Sequence, residues 1–343
     1  MKSLETILLR LIKMENKKEI SELRQDPVSR DWVIISTGRS KRPDSFKVSK
    51  NIHEETPISL CPFEDPKSHG NEIIKSYSSG IKVVNNKFPI IKGNICNSEK
   101  RYGPYLIKDS AGYHEVVIFK DHKKSFAEMD IKSVFEIVSV YYDRYNELKN
   151  KECANYILII HNHGREAGAS VSHPHSQILA IPFIPSDISR SLSGSAIYKI
   201  ERKRCVHCDI IEWELKEKKR IIFENDNFVA LMPYVPRFSY EIRIFPKNHL
   251  VFFEEANNLE LKDFAEALRV SLAKIFYGLG NPSYNFFIHT PPTDAEHDYN
   301  FYHWHLEINP RIAIWGGFEL GTGGEVINTD PDEAAEFLRN IKV

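Results

Sequence analysis

The segment His173-Pro174-His175-Ser176-Gln177 holds the side chains best suited to covalent chemistry. Alternate residues of a strand share a face, so His173, His175 and Gln177 are expected to point one way. Pro174 restricts the backbone between the two histidines. A neutral imidazole nitrogen can attack phosphorus and form a phosphoramidate. Its other nitrogen must then be held as N–H, usually by a backbone carbonyl. Gln177 can donate an amide hydrogen to a phosphoryl oxygen in the transition state. An amide cannot protonate a leaving group or activate water, which favours transfer to another acceptor over hydrolysis. Upstream, His161 to Ser170 reads as a Gly/Ser-rich turn whose N–H groups and hydroxyl suit phosphate.

Two further sets suit a metal. Cys205-x-x-Cys208 puts two thiols within reach of one ion, and His249 and His303 complete four N and S ligands for zinc. Cys61, Glu64, His122 and His173 stand at the matching places of an earlier segment. There Glu64 replaces the second cysteine, and a carboxylate is an acceptable zinc ligand. One to two zinc ions per chain are expected. His305 is read as a structural or pocket residue. Free buried cysteines and histidines are the competing reading.

These residues recur because the chain repeats itself. Each copy has a cysteine segment, then an Asn-rich turn, Val83–Pro89 or Phe223–Phe228. An apolar run to a histidine follows, Glu115–His122 or Glu241–His249. Next comes a helical pattern, from Ile131 to Leu148 and from Leu261 to Leu279. Asp130, and Asn257 or Asn258, are the expected N-caps. Short strands, Tyr156–Ile160 and Asn285–Ile288, then lead through loops to His173–Gln177 and His303–Glu307. Such a period indicates two copies of one domain rather than a solenoid. The Ser/Gly stretch 191–195 reads as the loop or linker between them. The expected division is an N-terminal extension over 1–24, a first domain over 25–192 and a second over 193–343.

Composition sets the class. A length of 343 residues suggests about two domains. With 46 basic and 47 acidic residues there is no basic excess for a general nucleic-acid partner. The apolar runs are too short to span a membrane. Glu5 and Arg10 interrupt the apolar residues between Leu4 and Ile12, and no small-residue cleavage site follows, so a signal peptide is not indicated. Five cysteines are too few for a disulfide scaffold, and a reduced cytoplasmic protein is expected.

The chain resembles the galactose-1-phosphate uridylyltransferase family, a branch of the histidine-triad superfamily. The matching pieces are Asp26–Val28, Trp32–Ser36, Arg39–Pro43, Cys61–Phe63, Asn86–Pro89, Gly112–Val116, Gly164–Gln177, His303–His305 and Gly317–Gly321. The resemblance implies an α+β fold of two fused histidine-triad-like repeats, each an antiparallel half-barrel sheet with packed helices. It also implies a homodimer and ping-pong nucleotidyl transfer. By that likeness His175 takes the nucleoside monophosphate and Gln177 steadies it. Arg39, Arg42, Asn162 and Ser170 would contact phosphates, Asn86 would sit near the ribose, and Glu319 would meet hexose hydroxyls. Two departures stand out: Glu64 in the first ligand set, and only Asp187 where bacterial members carry an acidic metal ligand. The Cys205/Cys208 pair is similar to that of the plant-type branch, ADP-glucose phosphorylase.

The leading expectation is a UDP-glucose–hexose-1-phosphate uridylyltransferase acting on a nucleotide sugar and a hexose 1-phosphate. The second is an ADP-glucose phosphorylase, transferring adenylate to phosphate. The third, in a different class, is a non-catalytic, zinc-stabilised nucleotide-binding module.

Overall fold

The computed structural model describes residues 19–41, 56–93, 95–96, 99–294 and 297–343. The apolar start of the chain and Arg42 lie outside the described residues. Strands of the first half are β1 (Ser21–Gln25), β2 (Trp32–Ser36), β3 (Ile73–Ser76), β4 (Lys82–Asn85), β5 (Glu99–Tyr102), β6 (Tyr105–Lys108), β7 (Tyr113–Ile118), β8 (Tyr156–His163) and β9 (His175–Ile181). Those of the second are β10 (Ile221–Glu224), β11 (Phe228–Leu231), β12 (Ile242–Pro246), β13 (Tyr284–His289), β14 (His305–Pro310) and β15 (Val326–Ile327). The helices are α1 (Ile131–Leu148), α2 (Ser186–Arg202), α3 (Val206–Glu217), α4 (Asn258–Leu279), α5 (Gly317–Thr322) and α6 (Pro331–Arg339).

Among the described residues one sheet carries ten strands in the order β10-β11-β12-β14-β13-β8-β9-β7-β4-β3. Read outward from its centre, β8-β9-β7-β4-β3 mirrors β13-β14-β12-β11-β10, so the repeat is written into the topology. All its ladders are antiparallel, and β8 joins β13 at the centre. The fold is the mixed α+β, antiparallel one expected. The mirror corrects one pairing of the repeat. β4 answers to β11, whereas the Asn turn of the second copy lies between β10 and β11.

The helices form where apolar residues recur at helical spacing. Val134, Ile137, Val138 and Tyr141 of α1 pack with Leu261, Phe264, Leu268 and Leu272 of α4 over Val117, Ile159, Ile178, Ile244 and Leu306 of the sheet. Each such buried side chain contributes roughly 1.5–3 kcal/mol. Asp130 caps α1, accepting from the Ser133 N–H at 2.7 Å. Asn257, not Asn258, caps α4 by accepting from Leu259 and Glu260.

Strand alternation then decides where chemistry sits. On β9, Ser176 and Ile178 face α1: the Tyr141 hydroxyl meets Ser176 Oγ at 2.5 Å. His175, Gln177, Leu179 and Ile181 face the other way, and Leu179 and Ile181 pack there with Ile188 and Leu192 of α2. Stretch 191–195 is therefore no linker, because it lies inside α2. Its glycine serves close packing: a Cβ on Gly194 would lie 1.9 Å from the Val28 carbonyl oxygen. Likewise residues 21–24 of the expected extension belong to β1, which pairs with β2.

Cys96 and Cys153 form a disulfide, with Cα atoms 5.1 Å apart. The cysteine count gave no hint of it, and it departs from the fully reduced state expected. Cys61, Cys205 and Cys208 remain free. No helix of the described residues is long and apolar enough to cross a membrane.

Candidate active site and metal centres

His175 opens β9 and is 7% exposed. Its Nδ1 lies 2.9 Å from the His173 carbonyl oxygen, a contact only an Nδ1–H can make. Nε2 is thereby left with its lone pair. Burial pushes the His175 pKa below the ordinary histidine value, which keeps the ring neutral. The Phe63 ring meets it edge-on at 5.0 Å between centroids. These are the requirements for an imidazole nucleophile.

His175 stands between two cavities. One, of about 600 Å³, is lined by Asn86, Ser170, His175 and Gln177, with Phe63 and Phe88 on its walls. The other, of about 440 Å³, is lined by Lys123, Asn162, His163 and again His175. Asn162 there accepts from Asn285 Nδ2 at 2.8 Å. Gln177 Oε1 lies 2.7 Å from His114 Nε2. His114 was quoted in the Gly112–Val116 motif without a role. Its place opposite Leu179, on the strand next to β9, follows only from the β7–β9 register.

Not every expected site residue gathers here. Arg39 is exposed on a short 3-10 turn, Thr37–Lys41, and lines neither cavity. Glu319 lies on α5, where it caps its own helix by accepting from the Gly316 N–H at 2.9 Å, and it too is absent from both cavities.

The expected ligand sets do assemble. The ligand atoms of Cys205, Cys208, His249 and His303 all lie within 4.8 Å of one another, as do those of Cys61, Glu64, His122 and His173. In the first half, His173 gives its Nε2 hydrogen to the Phe119 carbonyl at 2.8 Å, and His122 gives its own to Thr56 at 3.0 Å. Both Nδ1 atoms therefore carry lone pairs, yet they stand 3.2 Å apart. Two facing lone pairs repel unless a cation lies between them. Glu64 Oε1 is 2.7 Å from His122 Nδ1, and Cys61 Sγ is 3.6 Å from His173 Nδ1, so a carboxylate and a sulfur face the same point. In the second half His303 Nε2 donates to the Pro246 carbonyl at 3.0 Å. Its Nδ1 and that of His249 meet Cys208 Sγ at 3.6 and 3.2 Å. Such outer hydrogen bonds orient imidazole ligands. Both donor sets fit zinc. Asp187 is taken up by Arg190 and Arg237 instead.

His289, His305 and Glu307 form a third cluster, which sequence reasoning missed. Here Glu307 stands opposite Arg243 on β12, the register at which Gln177 stands opposite Val116 on β7. Arg243 Nε is 3.1 Å from Glu307 and 2.7 Å from Glu241. Burial works against the Glu307 charge, but Arg243 and His289 outweigh it and hold the carboxylate well below its usual range. The cavity at this place, about 850 Å³, is lined by Arg243 but by neither His305 nor Glu307. The second half thus keeps a cavity from which His305, the counterpart of His175, is absent.

Comparisons with known proteins agree with the fold. Residues 10–185 match the N-terminal domain model of galactose-1-phosphate uridyl transferase, and residues 193–321 match its C-terminal domain model. ADP-glucose phosphorylase from Arabidopsis thaliana is 32% identical, covering 94% of this chain and 93% of that protein. Galactose-1-phosphate uridylyltransferase from Thermotoga maritima is also 32% identical, covering 94% and 99%. A crystal structure of the Arabidopsis ADP-glucose phosphorylase with bound ADP-glucose superposes with a TM-score of 0.81 at 30% identity, covering 94% of this chain and 100% of that one. The chain belongs to the galactose-1-phosphate uridylyltransferase family of nucleotidyl-transferring enzymes.

Proposed function

We propose that this protein moves a nucleoside monophosphate from a nucleotide sugar to a phosphate-bearing acceptor through a covalent intermediate on His175. The observation that carries the reading is the hydrogen bond from His175 Nδ1 to the His173 carbonyl, which leaves Nε2 bare beside a cavity of about 600 Å³. The Nε2 lone pair attacks the α-phosphorus. The bond from that phosphorus to the bridging oxygen breaks, and the electron pair leaves with the sugar phosphate. In the second half-reaction an acceptor phosphate oxygen attacks the same phosphorus and the N–P bond breaks. Both the leaving group and the acceptor are anionic at neutral pH, so neither step needs a general acid or base. Gln177 donates to a phosphoryl oxygen as charge builds. Asn86 and Ser170 line the same cavity and serve the ribose and phosphates.

The first reading of the substrates is UDP-glucose with a hexose 1-phosphate, supported by the likeness to the Thermotoga relative named galactose-1-phosphate uridylyltransferase. A second reading, ADP-glucose with inorganic phosphate, is favoured by the fit to the Arabidopsis structure with bound ADP-glucose. Zinc bound in the two clusters would act as a staple. In the first cluster it would fix His173, whose carbonyl orients His175. The working unit we propose is a homodimer. A head-to-head assay of UDP-glucose plus galactose 1-phosphate against ADP-glucose plus phosphate decides between the readings. A rate advantage of a hundredfold or more for one pair assigns it, and turnover of neither overturns both.

A further inference from the structure

The contact between His114 and Gln177 fixes which way an amide points. The Ile90 N–H is directed at His114 Nδ1 from 3.3 Å, so Nδ1 is the acceptor. A neutral imidazole then carries its hydrogen on Nε2. Burial pushes the His114 pKa down and so favours the neutral ring. Asn86 does not compete for either in-plane position. Its Nδ2 is 3.0 Å from Nε2 and 3.4 Å from Nδ1, and an atom near both cannot lie along either of two diverging lone pairs. It therefore sits over the ring face, while its Oδ1 accepts from the Phe88 N–H at 2.9 Å. The Nε2 hydrogen points instead at Gln177, 2.7 Å away, and only a carbonyl oxygen can receive it there.

We propose that His114 is a positioning residue that locks the Gln177 carboxamide with its oxygen turned away from the reacting phosphorus and its NH₂ group offered to the cavity. An unlocked glutamine could present either end. With the oxygen facing the phosphoryl group, attraction becomes repulsion between two negative dipoles. The second half of the molecule supplies a contrast. There Glu307 replaces Gln177, Arg243 and Glu241 replace the neutral partners, and the group can only accept. The lock accordingly belongs to the half whose paired histidine, His175, lines a cavity.

The inference rests on the His175 reading, and the test separates the two. The rate of covalent labelling by an α-labelled nucleotide sugar is measured for the whole chain and for His114→Phe, His114→Gln, Gln177→Ala and the Gln177→Ala/His114→Phe pair. Phenylalanine keeps the ring's bulk and loses the donor. Glutamine restores an N–H near the Nε2 position. Loss of orientation at a reacting centre costs on the order of ten- to a hundredfold in rate. His114→Phe should lose that much in the labelling step, with KM for the nucleotide sugar within about twofold. His114→Gln should regain most of it. In the Gln177→Ala background His114→Phe should cost nothing further, because the two residues act as one unit. Additive losses, a change in KM alone, or an equal defect in His114→Gln would overturn the positioning role and leave the His175 reading intact. Absence of label on the unaltered chain would overturn both.

Discussion

Arg144 grips Glu115 with two hydrogen bonds, of 2.8 and 2.7 Å, across the boundary between α1 and β7, and both side chains are 4% exposed. Glu115 lies between His114 and Val116 on β7, so this pair ties the floor of the proposed cleft to the helix beneath it. Removing one member of a buried ion pair costs about 3–5 kcal/mol when the other charge is stranded, and Arg144 keeps a second carboxylate, Glu147, so the lower end of that range applies. Glu115→Ala should lower unfolding stability by that order in urea titration. A loss below about 1 kcal/mol would show that Glu147 and solvent satisfy Arg144 without Glu115.

Metal content tests the two clusters. Elemental analysis of gently purified protein should give between one and two zinc ions per chain, about one for each set of four ligands. Cys208→Ser should remove about one ion and lower the melting temperature, because a closed site's binding energy is partly folding energy. Activity per folded molecule should fall less than in His175→Asn. Glu64→Ala should empty the weaker site and slow labelling at His175. No bound metal, with full activity and unchanged melting, would refute both centres.

Arg39 and Glu319 lie outside the cavities beside His175. If they serve the site, a second copy of the chain brings them. Chains carrying His175→Asn and chains carrying Arg39→Ala, each inactive alone, should then complement when allowed to exchange. Random pairing would restore roughly a quarter of full activity, since half of the dimers hold one intact site of two. No recovery in a proven hybrid would put Arg39 and His175 to work on the same chain, and full activity of Arg39→Ala alone would place Arg39 outside the chemistry.

Buried neutral histidines set the acid side of stability. His161 is 2% exposed, and burial, with lesser contributions from His163 and His175, holds its pKa well below 6.5. Below that pH the unfolded chain takes up a proton that the folded chain refuses, so stability falls as pH falls. One such group contributes a slope of about 1.4 kcal/mol per pH unit. Unfolding free energy measured from pH 7.5 to 5.5 should decline, and His161→Asn should flatten the decline by about one proton's worth. An unchanged slope in this variant would show that His161 is protonated in the fold.

Much of this arrangement was legible in the sequence because it rests on short-range rules. The helical spacing of Val134, Val138, Tyr141 and Tyr145 gave α1, and Asp130 gave its start. Repeat-equivalent cysteines and histidines gave both ligand sets, since metal sites need specific donor types. What the sequence concealed depends on distant contacts. Gly194 resembles a linker residue until the Val28 backbone is brought against it. His114 acquires its partner only when β7 and β9 pair. Arg243 and Glu307 are remote in sequence, and their match to Val116 and Gln177 appears only in the mirrored order of the strands. The roles suggested for Arg39 and Glu319 came from resemblance alone, and a single chain does not bring those residues to His175.

The central claim is the bond between His175 and phosphorus. Incubation with an α-labelled nucleotide sugar, without acceptor, should label the chain close to one equivalent per active site, and peptide mapping should locate the label on His175. The bond should be labile to acid and stable to base, as a phosphoramidate is. Adding acceptor should discharge it, and initial-rate plots for the two substrates should be parallel. His175→Asn should fold, keep its metal and take no label. Label retained in that variant, or intersecting rate plots without a labelled intermediate, would contradict the account.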